Sequence, residues 1–132
     1  MQRYHQVGVE AQVAGATPHE LVQMLLDGAV ARVVAAKVAM EAGEIARKGE
    51  LIGRAIAMVE GLRSALDVER GGDLAANLEA LYAYIERRLL EGNLRGDAAA
   101  LDEVASLLRE VQSGWRAIAE TVIAAEGSHG TA

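Results

Sequence analysis

The 132-residue sequence predicts an all-α protein: an antiparallel up-down four-helix bundle with a short N-terminal segment packed on it. Three observations carry that reading. Hydrophobic residues make up 52% of the chain, yet aromatics only 3%, and there is no Phe. A core built from Leu, Ile, Val, Ala and Met suits close-packed helices better than a strand-rich sandwich. Pro occurs once, so long stretches are free of helix breakers. Finally, four segments carry apolar residues at alternating spacings of four and three, the seam of a helix lying nearly parallel to its neighbours. The connections between these segments are short, which forces consecutive helices to run antiparallel.

Residues 1–16 form a lead of different character. Val7, Val9, Ala11 and Val13 alternate with Gly8, Glu10 and Gln12, a strand-like period with no second strand to pair with. A segment lying on the apolar surface of the bundle is the more economical reading. The first helix then has a strong start signal at Thr17-Pro18-His19-Glu20. Thr17 can cap, Pro18 gives up an amide that had no partner, and Glu20 can reach back to the cap residue.

Helix 1 is expected from about Pro18 to Ala42, with Val22, Leu26, Ala29, Val33, Ala36 and Met40 as its seam and Gly43 as its left-handed stop. Helix 2, from about Glu44 to Arg70, has two adjacent stripes. One is Leu51, Ala55, Met58, Leu62 and Ala65; the other is Ile52, Ile56, Val59 and Leu66. Its apolar arc is wider than a small bundle must bury. Gly53 and Gly61 inside it either permit close helix contact or flatten one face into a groove. Gly71-Gly72-Asp73 is expected to end helix 2 and cap helix 3, whose seam is Leu74, Leu78, Leu81, Ile85 and Leu89 with Tyr82 beside it. Gly96-Asp97 repeats the device. Helix 4 follows with Leu101, Val104, Leu108, Val111, Trp115, Ile118 and Val122. The domain division is therefore residues 1–16 as a covering segment, 17–126 as the bundle and 127–132 as a disordered tail.

Several functions are disfavoured by what these segments contain. A net charge of −6 is unsuited to binding nucleic acid, which needs a basic surface. With no Cys there is no thiolate nucleophile, disulfide or Cys-ligated zinc. The polar start and the lack of an apolar run near the roughly 20 residues of a membrane span make a cytoplasmic location the expectation. His19-Glu20 opens like a zinc-protease motif, but Gln23 occupies the second His position, so His19 reads as a first-turn surface residue. His5, His19 and His129 all lie outside the helix middles, which leaves a di-metal centre without ligands. Ser64, Ser106 and Ser113 have no His in register. No enzyme, metal or cofactor is expected. Arg87, Arg88 and Arg95 near the end of helix 3 are accounted for by the helix dipole. Asp27, directly after three apolar residues, either faces solvent, pairs with an Arg of helix 3 or binds a partner's amide.

The residues thus describe an acidic helical bundle with apolar surface to spare, and such surfaces mark interaction sites. The wording of the chain is more specific. Ala16-Thr17-Pro18-His19-Glu20-Leu21-Val22-Gln23-Met24-Leu25-Leu26-Asp27-Gly28-Ala29 resembles the signature of the FliS family of flagellar secretion chaperones. So do Leu66-Asp67-Val68-Glu69-Arg70-Gly71-Gly72-Asp73-Leu74 and Leu81-Tyr82-Ala83-Tyr84. The matches continue through Arg87-Arg88-Leu89-Leu90-Glu91-Gly92-Asn93-Leu94, Gly114-Trp115 and the lead Tyr4-His5-Gln6-Val7-Gly8-Val9-Glu10. Gly92 stands where the family pattern has Ala, a change expected to loosen the end of helix 3.

This resemblance implies a bacterial export chaperone that binds the disordered C-terminal arm of flagellin, prevents premature polymerisation and supports type III secretion. An anti-sigma factor is a further partner it implies. It also implies that Met1, Tyr4 and Val7 cover apolar grooves in the free protein, so that Tyr4→Ala should alter affinity more than His19→Ala. The surplus on helix 2 points to a groove with helix 4, giving Leu51, Ala55, Met58, Leu62 and Leu107 as contact residues. The protein is expected as a monomer or weak homodimer. The reading from another class is a structural bundle whose helix 2 arc closes a homodimer, with no flagellin client.

Overall fold

The computed structural model describes residue 15 and residues 17–130, with residues 68–70 and 119–130 described as backbone alone. Four helices follow in order: α1 (Pro18–Glu41), α2 (Ile45–Ser64), α3 (Val68–Arg95) and α4 (Ala98–Gly130). Helix α1 packs on α2 and α4, and α3 packs on the same two, so the four close a ring with α2 and α4 on one diagonal. The expected all-α bundle is what the chain forms. Met1, Tyr4, Val7 and the rest of the lead before Gly15 lie outside the described residues.

The start of α1 follows its sequence signal. The Glu20 amide donates to Thr17 Oγ1 at 3.2 Å, and the Thr17 amide donates to Glu20 Oε2 at 3.2 Å. Pro18 sits in the first turn, where its missing N–H costs nothing. At the other end, Gly43 adopts φ 75°, a left-handed turn that a side chain would strain. The core is built from Leu26, Ala29 and Val33 of α1, Ile52 and Val59 of α2, Ile85 and Leu89 of α3, and Leu101, Val104 and Leu108 of α4.

Helix α2 ends at Ser64, earlier than the expected Arg70. Ala65 closes it, and the Leu66 amide donates to the Arg63 carbonyl at 3.1 Å in a tightened last turn. Leu66 nevertheless still packs on the core. Its apolar period therefore reports which side of the chain faces inward, and it does not show that the backbone remains helical. One turn from Val68 leads into Gly72, whose φ 56° and ψ −133° break the helix. At the far end α4 continues to Gly130, beyond the Gly127 where the sequence pattern places its end.

Buried and half-buried polar contacts set the helix registers. Lys48 is only 9% exposed, and its Nζ donates to the Asn93 carbonyl at 3.0 Å, capping the last turn of α3. Between α3 and α4, Arg88 binds Glu103 at 2.7 Å and Glu91 at 2.9 Å, while the Tyr84 hydroxyl donates to Glu103 at 2.7 Å. Arg88 thus serves an interhelical clasp, a role beyond complementing the helix dipole. Asp27 is exposed, and it accepts from Gln23 on its own helix and from Gln112 and Arg116 on α4, the last at 3.4 Å. Its Arg partner belongs to α4, whereas the sequence pointed to helix 3, because α1 packs extensively along α4.

The glycines divide by what lies opposite. A Cβ on Gly61 would sit 3.2 Å from Leu25, so this glycine permits the close α1–α2 approach; nothing lies within 4 Å of one on Gly53. Gly92 does not loosen α3. It is buried, with a Cβ position 3.3 Å from Ala100 and 3.4 Å from Leu101, and its small size lets the start of α4 pack against it.

Candidate partner-binding groove

The start of α1, the end of α2, the start of α3 and the middle of α4 come together at one end of the bundle. They enclose a cavity of about 350 Å³ lined by Val22 of α1, Leu62 of α2, and Leu66 in the connection. Leu74, Ala75, Leu78 and Tyr82 of α3 and Val111 and Trp115 of α4 complete it. The break at Gly72 positions Leu74, which remains 65% exposed at the lip although the sequence placed it in a buried seam. Ile118, another expected seam residue, is 47% exposed three positions beyond Trp115, because α4 is running past the start of α1 there.

Trp115 is fixed to the start of α1. Trp115 Nε1 donates to the His19 carbonyl at 3.0 Å, and the two rings pack with centroids 5.0 Å apart. His19 is therefore half-buried against the groove, in place of the free first-turn position expected for it. Its Nδ1 is buried with no hydrogen-bond partner among the described residues. Burial raises the pKa of Tyr82, which keeps its phenol neutral. What remains facing the cavity is overwhelmingly aliphatic and aromatic.

Behind this wall, Arg63 of α2 binds Glu79 and Glu86 of α3, the latter at 2.8 Å, and Glu60 at 3.6 Å. Arg63 directly follows Leu62, and Glu79 and Glu86 flank Tyr82 on α3, so this clasp holds the α2–α3 side of the groove together. The hydrogen bond from Arg63 keeps Glu79 below the usual carboxylate range against its desolvation. Desolvation pushes Glu86 the other way, reinforced by neighbouring Glu60 and opposed by Arg63. A second cleft, about 230 Å³ between α1 and α4, is smaller and has the Lys37–Asp102 ion pair at its edge.

Among the described residues expected from sequence to contact a partner, only Leu62 lines the groove. It is 2% exposed and forms part of the floor, while Ala55 is wholly buried in the core. Leu51 and Met58 on α2 and Leu107 on α4 are half-buried elsewhere, packed against the core. Leu62 of α2 and Val111 and Trp115 of α4 line this groove together with residues of α1 and α3, so it is not a cleft between α2 and α4 alone. The arc of helix 2 is wide because α2 must pack on both α1 and α3. Sequence reasoning missed Leu66, Leu74, Leu78 and Trp115 as groove residues by assigning them all to buried seams. The glycine pair at 71–72 was the available signal, since a break there releases the neighbouring apolar residues from regular packing.

An apolar groove at one end of an acidic helical bundle is the architecture of a binding module. The family model of flagellar protein FliS matches residues 1–122. The chain is 52% identical to flagellar secretion chaperone FliSB of Pseudomonas aeruginosa over 118 residues, covering 89% of this chain and 94% of that protein. It is 46% identical to flagellar secretion chaperone FliS of Salmonella typhimurium over 116 residues, 87% of this chain and 86% of the other. With that of Bacillus subtilis the identity is 32% over 101 residues, 76% and 74% of the two chains. This chain belongs to the FliS family of flagellar secretion chaperones, and is a chaperone and not an enzyme. No helix among the described residues is long and apolar enough to cross a membrane.

Proposed function

We propose that this chaperone acts in the cytoplasm, holding the disordered C-terminal arm of flagellin so that it neither polymerises early nor loses competence for export. The observation supporting this most directly is the open apolar groove, whose 350 Å³ suits a few large side chains from one turn of an amphipathic segment. Leu66, Leu74, Leu78 and Trp115 supply its contact surface over a floor of Leu62. A disordered arm that folds on binding loses about 2–5 kcal/mol to ordering, which keeps an extensive contact releasable.

Thr17 caps α1 five residues before Val22, which lines the groove, and this supports a role for the preceding segment at the groove. In this account Met1, Tyr4 and Val7 cover the groove in the free protein and leave it when flagellin arrives. Ala55 supports the fold from within the core, while the half-buried Leu51, Met58 and Leu107 contact flagellin only where it runs beyond the groove. Mixing the protein with a flagellin C-terminal fragment should give a one-to-one complex on gel filtration. Two separate peaks at micromolar concentration would refute the assignment. Tyr4→Ala should shift the affinity while Ser106→Ala, on the exposed side of α4, leaves it unchanged. His19 is unsuitable as that control because it packs on Trp115.

A further inference from the structure

Leu74, Leu78 and Tyr82 follow one another at spacings of four, which places them on one face of α3, and all three line the groove. Tyr82 is 3% exposed and belongs to the core cluster. A phenol buried this deeply ordinarily finds a hydrogen-bond partner. Tyr84, two residues on, has one, its hydroxyl donating to Glu103. The Tyr82 hydroxyl has none among the described residues, and burial alone pushes its pKa up. The polar atoms sealed from solvent without a partner are His19 Nδ1, Arg32 Nε and Glu86 Oε1 among the described residues. The Tyr82 hydroxyl is not one of them. It keeps access to open space, and the open space beside Tyr82 is the groove.

The remaining lining residues decide what that hydroxyl can bind. The other side-chain donor on the wall, Trp115 Nε1, is taken by the His19 carbonyl. No Lys or Arg lines the groove, and the one charged side chain that does, Asp67, is itself an acid. A carboxylate entering there would meet a like charge with no cation to offset its lost hydration. A neutral phenol instead suits a neutral acceptor, and the one every peptide carries is its backbone carbonyl. In a single helical turn the carbonyls have no partner within the segment, so a turn filling the groove brings an open acceptor with it.

We infer that Tyr82 is a specificity-determining residue of the groove, its hydroxyl donating a hydrogen bond to a backbone carbonyl of the bound segment. This rests on the groove being the client's site and says how that site selects. Apolar contacts are non-directional, so the aliphatic walls alone leave the depth and direction of a bound turn unset. One donor at a fixed place sets both. The place is held by the Arg63 clasp, whose partners Glu79 and Glu86 stand on either side of Tyr82 along α3. In the free protein the hydroxyl forms no bond within the described chain, so the whole of its effect appears on binding.

Tyr82→Phe in the full-length protein deletes the hydroxyl and nothing else. Its urea midpoint should be unchanged or raised, because no bond within the chain is lost. Binding of the flagellin C-terminal fragment should weaken about tenfold, because the client carbonyl is then buried unpaired. Tyr84→Phe should show the reverse, a lower urea midpoint from the lost bond to Glu103 and an unchanged affinity. Leu74→Ala, measured beside them, reports on the groove itself. If Tyr82→Phe binds within about twofold of the parent while Leu74→Ala binds more weakly, the inference is overturned and the groove stands. If neither substitution weakens binding, the assignment of the groove falls and the role of Tyr82 with it. A lowered urea midpoint for Tyr82→Phe also overturns the inference, since the hydroxyl then has a partner within the chain.

Discussion

Leu74→Ala separates client binding from folding more cleanly than any core substitution. Leu74 stands at the lip of the groove with 65% of its surface in water. Fully burying a leucine side chain is worth about 1.5–3 kcal/mol, so closing a client over the exposed two-thirds contributes about 1–2 kcal/mol. Truncation to Ala should therefore weaken binding of the flagellin fragment by roughly 5–30-fold. Stability should stay within about 0.5 kcal/mol, because the folded protein gains little from a side chain it leaves in solvent and Ala is a better helix former. Trp115, the chain's only tryptophan, lines the same cavity. Its fluorescence reads binding without a label, and urea titration of the same sample reads stability. Unchanged affinity with unchanged stability would show that the client binds elsewhere and would refute the assignment of this groove.

Other substitutions test the surrounding scaffold. Leu62→Ala, at a buried position shared by the core and the groove floor, should cost about 2–5 kcal/mol of stability in urea titrations. Thr17→Ala removes the side-chain half of the capping box and should cost about 1 kcal/mol, measured in the same way. The pH dependence has two opposed parts. Glu79 and Glu103 are held below the ordinary value of 4.5, so the stability they confer is present above it and lost as pH falls towards their lowered values. Glu86 is raised, so its cost is present at neutral pH and relieved as pH falls through its raised value towards 4.5. Glu86→Gln should accordingly gain stability relative to the parent as pH rises from 4.5 to 7, and denaturation curves showing a constant difference across that window would contradict the sign.

The helices were legible because spacing and caps act locally. Thr17, Pro18 and Glu20 define the start of α1 through contacts within four residues, and Gly43 and Gly96 stop helices through their own positive φ. The groove was not legible, because it depends on where the chain departs from its period. Leu66 and Leu74 keep helical spacing in the sequence, yet one lies in a connection and the other just beyond a break. The position of Trp115 likewise depends on a carbonyl 96 residues away, which no local pattern encodes. Helix 2 misled in the same manner: its broad arc reflects two packed neighbours, and exposed apolar side chains occur on other helices as well, Val38 on α1 and Leu74, Leu90 and Leu94 on α3 among them.

The central claim, that the groove takes an apolar segment of disordered flagellin, is tested most directly by calorimetric titration of the C-terminal fragment at several temperatures. The account predicts one site per chain and a large negative heat-capacity change from coupled folding and apolar burial, reduced in Leu74→Ala. Absence of heat at all temperatures, or binding with a heat-capacity change near zero, would contradict it.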